Sequence, residues 1–225
     1  MKLSIAIPCW NMNGVGRDVL KFSLDIIANQ SMKDFEVVIT DHSIDKDIEE
    51  LCSEYSFIRY IRNEENRGNP AHNTNLGIDN CQGGYINLLC QDDYLIDSQS
   101  LNNCLDDLEG SGKVWGFNSY WHTKDKITLE RRHIPSFNDN IQLINTLGTP
   151  SALTMRNGLD VRIDENLKYC YDCEFYKRIS IRYGLPNISM NDTMVNYIHE
   201  NQTTNTIATK TLIEDEEAYI RRIYS

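Results

Sequence analysis

From Leu3 to Leu95 the chain alternates between two spacings of apolar residues. Leu3-Ser4-Ile5-Ala6-Ile7 is a short apolar run closed by Pro8 and reads as a buried strand. Between Arg17 and Asn29 the apolar positions Val19, Leu20, Phe22, Leu24, Ile26 and Ile27 fall three and four apart, which predicts a helix. The exchange repeats, with strands expected over Phe35–Thr40, Phe57–Ile61 and Tyr85–Cys90 and helices over Asp45–Glu54 and Pro70–Asn80. Strands separated by helices imply βαβ units with right-handed crossovers, hence a mostly parallel sheet covered on both faces. Residues 1–97 therefore read as a Rossmann-like nucleotide-binding half.

The second half, residues 98–225, is looser. Helices are expected at Ser98–Glu109, Asp139–Leu147, Asp172–Tyr183 and Leu212–Ile223, and strands at Val114–Thr123, Ile127–His133, Ser151–Met155 and Thr193–His199. Here the sheet should turn mixed. No internal repeat or linker interrupts the pattern, and 225 residues suit one α/β domain.

Composition narrows the class. With 40% apolar, 9% aromatic and 24% charged residues the chain is globular. Its 22 basic and 33 acidic side chains give a net charge of −11, which opposes binding of nucleic acid or anionic lipid by bulk charge. Any anionic ligand must be met by a local device. No apolar run approaches the ~18 residues of a membrane span, and Met1–Pro8 lacks a small-residue cleavage site, so a cytoplasmic protein is expected. Seven cysteines are too few, and odd in number, for a secreted disulfide framework in a chain of this size. Cys170 and Cys173 have the spacing of half a zinc site, without a second such pair.

Ligands of open parallel sheets bind beyond the carboxyl ends of the strands. Those ends are polar here: Pro8-Cys9-Trp10-Asn11, Asp41-His42-Ser43, Asn63 to Gly68, and Gln91-Asp92-Asp93. Two adjacent carboxylates after an apolar strand are costly to leave unpaired, and a hard divalent cation shared with ligand phosphates is the usual remedy. An acidic protein can hold a diphosphate that way. A glycine-rich dinucleotide fingerprint, a P-loop and a nucleophile elbow are all missing from the sequence.

These motifs resemble the family 2 glycosyltransferases of the GT-A fold. The resemblance is carried by SIAIPCWN (Ser4 to Asn11), NQSMKDFEVVITDHSID (Asn29 to Asp45), Asn66-Arg67-Gly68 with Asn75-Leu76-Gly77, and GGYINLLCQDDYL (Gly83 to Leu95), in order. FNSYW, GTPSALTMR and DENLKYCYDCEFYKRI match more loosely in the second half. The resemblance implies a GT-A-like single domain with a mixed acceptor half, a nucleoside diphosphate sugar as donor, most simply a UDP-sugar, and Mn²⁺ or Mg²⁺ as cofactor. Carried over residue by residue, Pro8, Trp10, Asn11, Asp41, Arg67, Gln91 and Asp92 would bind the nucleotide sugar. Asp92 aligns with the metal-binding end of an Asp-x-Asp motif whose first position is Cys90, and His199 would be a second metal ligand. Asp172 matches the general base of an inverting transfer, with Glu174 as its rival.

The resemblance further implies a glycan or lipid-linked acceptor and a role in surface polysaccharide assembly, with at most weak, peripheral membrane association. Asp93 and the basic pair Arg131 and Arg132 are candidate acceptor contacts, against the reading of the pair as charges on an edge strand. Trp115 and Trp121 offer a stacking face for a sugar, or simply core. Two other functions compete: a sugar-nucleotidyltransferase, and a non-catalytic sugar-nucleotide-binding module, which Cys90 in place of Asp would favour.

Overall fold

The computed structural model describes residues 1–225 apart from the side chain of Thr203. In chain order the elements are β1 (Leu3–Cys9), a 3-10 turn (Met12–Gly14), α1 (Gly16–Ala28), β2 (Phe35–Asp41), α2 (Asp47–Cys52), β3 (Ile58–Arg62), α3 (Pro70–Asn80) and β4 (Tyr85–Leu88). There follow β5 (Tyr94–Leu95), α4 (Ser100–Ser111), β6 (Trp115–Thr123), β7 (Arg131–His133), a second 3-10 turn (Pro150–Ala152) and β8 (Leu153–Arg156). The chain closes with α5 (Tyr171–Tyr183), β9 (Asn187–Tyr197), α6 (Thr203–Thr206) and α7 (Lys210–Ile223).

Among the described residues nine strands form one sheet in the order β3-β2-β1-β4-β8-β6-β9-β5, with β7 beside β6. β1 runs parallel to β2 and β4, and β2 to β3. β8 joins β4 and β6 antiparallel, β9 runs parallel to β6, and β5 and β7 pair antiparallel. The expected parallel half and mixed half are thus two parts of one sheet.

Period-two alternation explains why β1 is apolar almost throughout. Leu3, Ile5 and Ile7 pack with Leu20, Leu24 and Ile27 of α1 and Ile48 and Leu51 of α2. Ala6 points the other way, into a core with Ala71 and Ile78 of α3 and Phe175, Tyr176 and Ile179 of α5. Each buried leucine, isoleucine or phenylalanine here contributes about 1.5–3 kcal/mol. The two cores fix the strand ends that carry the cleft. No helix among the described residues is long and apolar enough to cross a membrane.

Three expected elements differ. Residues 139–147 form successive turns, because Asn138 and Asn145 take local bonds in place of helix bonds: Asn138 Nδ2 donates to the Ile144 carbonyl and Asn145 Oδ1 accepts from Gly148 N. β7 is short, since Asp125 accepts from the amides of Ile127 and Thr128 and holds them in a turn. β9 starts six residues early, at Asn187, where Asp107 of α4 accepts from Ser189 Oγ and Asn191 Nδ2.

Candidate active site

The carboxyl ends of β1 and β4, the start of α5, the Thr149–Pro150 turn and the segment after β9 surround one cleft of about 660 Å³. Pro8, Trp10, Gln91, Asp92, Asp93 and Asp172 all line it.

The turn after β1 is shaped by three left-handed residues, Met12 (φ 51°), Asn13 (φ 56°) and Gly14 (φ 93°). Left-handed backbone costs roughly 1–2 kcal/mol at a non-glycine residue, and the surroundings offset it. Asn11 caps the turn through its Oδ1 and donates from Nδ2 to Asp45 Oδ2 at 2.7 Å. Gln91 bridges from the other side: its Oε1 accepts from Trp10 N and its Nε2 donates to the Gly16 carbonyl, each at 2.9 Å. A Cβ at Gly16 would run into the Trp10 and Asn11 carbonyl oxygens, so only glycine fits. Trp10 is left 38% exposed on the cleft wall.

Beyond β4, Asp92 and Asp93 diverge. Asp92 Oδ2 lies 2.8 Å from His199 Nε2, and both side chains are 10% exposed. His199 stacks on Tyr197 with ring centroids 4.9 Å apart. Among the described residues no group of three or more His, Cys, Asp or Glu side chains could hold a metal. The pair therefore offers one carboxylate and one imidazole, a donor set that suits a cation completed by ligand phosphates and water. Asp93 is fully buried. Its Oδ1 accepts from Asn196 Nδ2 and Tyr197 N at 2.8 and 3.1 Å, and its Oδ2 accepts from Ser151 Oγ. Burial, then the adjacent Asp92 charge, pushes its carboxyl well above the usual range, against the pull of these bonds. It ties β9 and the Thr149–Ser151 turn to the loop after β4 and has no oxygen free for a docking acceptor.

Across the cleft, Asp172 stands in the first turn of α5, partly exposed. Its Oδ1 accepts from Cys173 N at 2.7 Å and its Oδ2 from Asn145 Nδ2 at 3.2 Å. Burial pushes its carboxyl up to about 6, with the bonds from Cys173 holding the rise in check. Glu174 points away: it is 1% exposed, pairs with Arg178 at 2.7 Å and accepts from Tyr224 OH at 2.8 Å. Of the two carboxylates only Asp172 reaches the cleft. Cys90, Cys170 and Cys173 also line it, and burial raises all three thiols, so they stay protonated.

Other expected residues fall elsewhere. Asp41 is fully buried; Ser43 N (2.8 Å), Tyr60 OH (2.7 Å) and Arg62 occupy its oxygens, and His42 takes the cleft-facing place. Arg67 flanks the cleft residue Gly68 and pairs with Glu64 at 3.7 Å. On β7, Arg131 lies against His122 and Arg132 spends its charge on Asp192 at 2.8 Å; neither lines the cleft. Trp115 is core, and Trp121 donates to Asp192. Two positioning residues escaped the sequence reading. Asn73 donates to the carbonyls of Cys9 and Thr40 and so joins the ends of β1 and β2, and Glu216 binds the chain before α5.

A parallel half-sheet with a polar cleft at its carboxyl edge is where open α/β sheets bind their ligands. The model described as Glycosyl transferase family 2 matches residues 4–183, and the chain belongs to that family. An uncharacterized glycosyltransferase of Rickettsia bellii is 28% identical over 212 residues, covering 90% of this chain and 30% of the relative. The GalNAc(5)-diNAcBac-PP-undecaprenol beta-1,3-glucosyltransferase of Campylobacter jejuni is 28% identical over 120 residues, 51% of this chain and 37% of the relative. The chain thus spans about a third of the length of these relatives. S. aureus TarS in complex with UDP-GlcNAc superposes with a TM-score of 0.74 at 17% identity, covering 99% of this chain and 70% of that one. The mannosyltransferase PcManGT from Pyrobaculum calidifontis, in complex with GDP-Man and Mn²⁺, gives 0.62 at 13% identity, with 88% and 57% covered. At these identities the likeness is one of fold, and it is the GT-A fold expected from the sequence.

Proposed function

We propose that the chain is the catalytic part of an inverting transferase that moves a sugar from a nucleoside diphosphate, UDP in the first instance, to a hydroxyl of a glycan or lipid-linked acceptor, in surface polysaccharide assembly. One observation carries the reading: Asp172, with a carboxyl raised to about 6, opens onto the same cleft as Asp92, which His199 contacts from behind at 2.8 Å. A base poised near neutral pH suits proton removal from a sugar hydroxyl. Asp172 takes that proton as the acceptor oxygen bonds to the anomeric carbon and the carbon–diphosphate bond breaks on the opposite face.

Pro8, Trp10 and His42 form the wall for the nucleoside, with Asn11, Asp41 and Gln91 holding that wall in place and Arg67 at the rim. Asp92 and His199 would hold Mn²⁺ or Mg²⁺, which supplies positive charge to the departing diphosphate. Asp93 acts as the brace behind that pair. Arg131 and Arg132 retain an acceptor role only as a distant rim contact. The UDP reading is supported by the fold shared with TarS, whose structure holds UDP-GlcNAc. The proposed site of action is cytoplasmic, and a net charge of −11 opposes direct adsorption to anionic lipid, so any membrane contact goes through the acceptor. Family membership sets aside the nucleotidyltransferase reading, and the non-catalytic module is the remaining rival, resting on Cys90.

Release of UDP from a UDP-sugar without acceptor separates the two. The wild type should release UDP slowly in Mn²⁺ and Asp172→Asn should not. Nucleotide binding without release by the wild type, across UDP-, GDP-, CDP- and dTDP-sugars, would favour the module.

A further inference from the structure

α5 begins without a side-chain cap of its own at Cys170. The support comes from α7, a helix outside the residues matched by the family model. Glu216, only 5% exposed, accepts from Lys168 N at 2.6 Å with Oε1, and from Tyr169 N at 3.1 Å and Cys170 N at 2.8 Å with Oε2. A buried carboxylate is stable only when its lone pairs are filled, and three peptide N–H groups fill them. Neighbouring positions on α7 secure the same docking: Ile220 is fully buried and Tyr219 OH donates to Asp164 Oδ2 at 2.8 Å. Ile213 and Glu217 meanwhile line the cleft, so α7 is both a clamp and part of the cleft wall.

We propose that Glu216 is a positioning residue for Asp172. By pinning the three amides that immediately precede Tyr171 and Asp172, it fixes where the carboxylate stands in the cleft. The proposal rests on the reading of Asp172 as the base. A displacement of ~1 Å at a reacting group can cost ~100-fold in rate, so a clamp of this kind acts on turnover while donor affinity, which is held by the opposite wall, is spared.

The test uses the full chain and the variants Glu216→Gln, Ile220→Ala and Asp172→Asn, assayed below the melting temperature of each. The readouts are release of nucleoside diphosphate from UDP-, GDP-, CDP- and dTDP-sugars in Mn²⁺, and amide hydrogen exchange. In the wild type the amides of Lys168–Cys170 should be protected. Glu216→Gln should speed their exchange and lower kcat ~10-fold or more, with donor KM changed less than ~2-fold. Ile220→Ala loosens the same docking of α7, so it should lose stability and share part of the kcat loss, again with donor KM changed less than ~2-fold.

Unprotected amides in the wild type overturn the proposal without any assay of turnover. A full kcat in Glu216→Gln beside an inactive Asp172→Asn overturns the positioning role alone, as does a rise in donor KM as large as the loss of kcat. Turnover that persists in Asp172→Asn, or no release by the wild type from any donor, overturns the base assignment and this inference with it.

Discussion

His199 Nε2 lies 2.8 Å from Asp92 Oδ2 and joins residues 107 apart in the chain. Asp92 follows β4 and His199 follows β9, so the contact joins the parallel half of the sheet to its mixed half. If they share one cation, their substitutions should not add. Asp92→Asn and His199→Ala should each weaken Mn²⁺-dependent UDP binding by ~10-fold or more, and the double variant should be little worse than the poorer single one. Calorimetric titration of the three variants measures this directly; additive losses would mean two separate roles.

Asp172 links activity and stability through pH. Its folded-state carboxyl is raised to about 6, above an ordinary value of 3.8, so the protonated form favours folding. That contribution is complete below about pH 4 and is lost as pH rises through about 6, at a cost of about 1–3 kcal/mol at neutral pH. Turnover runs the other way, because the base must be ionised, and kcat should rise between pH 5 and 7 with a midpoint near the same value, about 6. Asp172→Asn should therefore abolish turnover yet raise the Tm at pH 7 and leave it nearly unchanged at pH 4. Thermal melts at the two pH values check the sign.

Asp93 is a brace, and truncating it should cost fold rather than acceptor binding. Asp93→Ala strands Ser151 Oγ, Asn196 Nδ2 and Tyr197 N, and at about 1–3 kcal/mol for each buried unpaired group the loss should reach about 3 kcal/mol or more. Because burial and the Asp92 charge favour the neutral carboxyl, Asp93→Asn should lose clearly less. Urea unfolding of the two variants decides; equal losses would mean that the neighbours require the ionised form.

Gly16→Ala tests the wall of the nucleoside pocket. The added Cβ would stand 2.6 Å from the Asn11 carbonyl oxygen, so the Trp10–Asn11 turn must move. Overpacking of this kind costs about 1–3 kcal/mol, and UDP affinity should fall along with stability. Loss of stability with full UDP affinity would place the nucleoside elsewhere.

The residues that the sequence made legible are those whose signal is local. β1, β2 and β4 are largely buried and read as mostly apolar runs, and Asp92, His199 and Asp172 sit just past strand ends or at a helix start, where ligands of such sheets bind. What stayed hidden depends on distant partners. The first residues of β9 alternate polar and apolar side chains and become strand by pairing with the distant β6, while Asp107 of α4 holds Ser189 and Asn191 in place. The apolar spacing of 139–147 suggested a helix, but asparagine side chains claimed the backbone. Asp41 ends a strand, as a ligand contact would, and its oxygens are occupied by Tyr60 and Arg62 of the neighbouring strand, a pairing with no local signal. Glu216 carries no motif, since it acts on backbone amides 46 to 48 residues away.

The most direct test of the central claim is calorimetric titration of UDP into the wild-type chain, once in Mn²⁺ and once in EDTA. The cleft as described predicts binding in Mn²⁺ that weakens at least ~10-fold when the metal is removed, because an acidic wall cannot hold a diphosphate unaided. Equal affinity in both solutions, or no binding of UDP, GDP, CDP or dTDP in either, would contradict a metal-assisted donor site at Asp92 and His199.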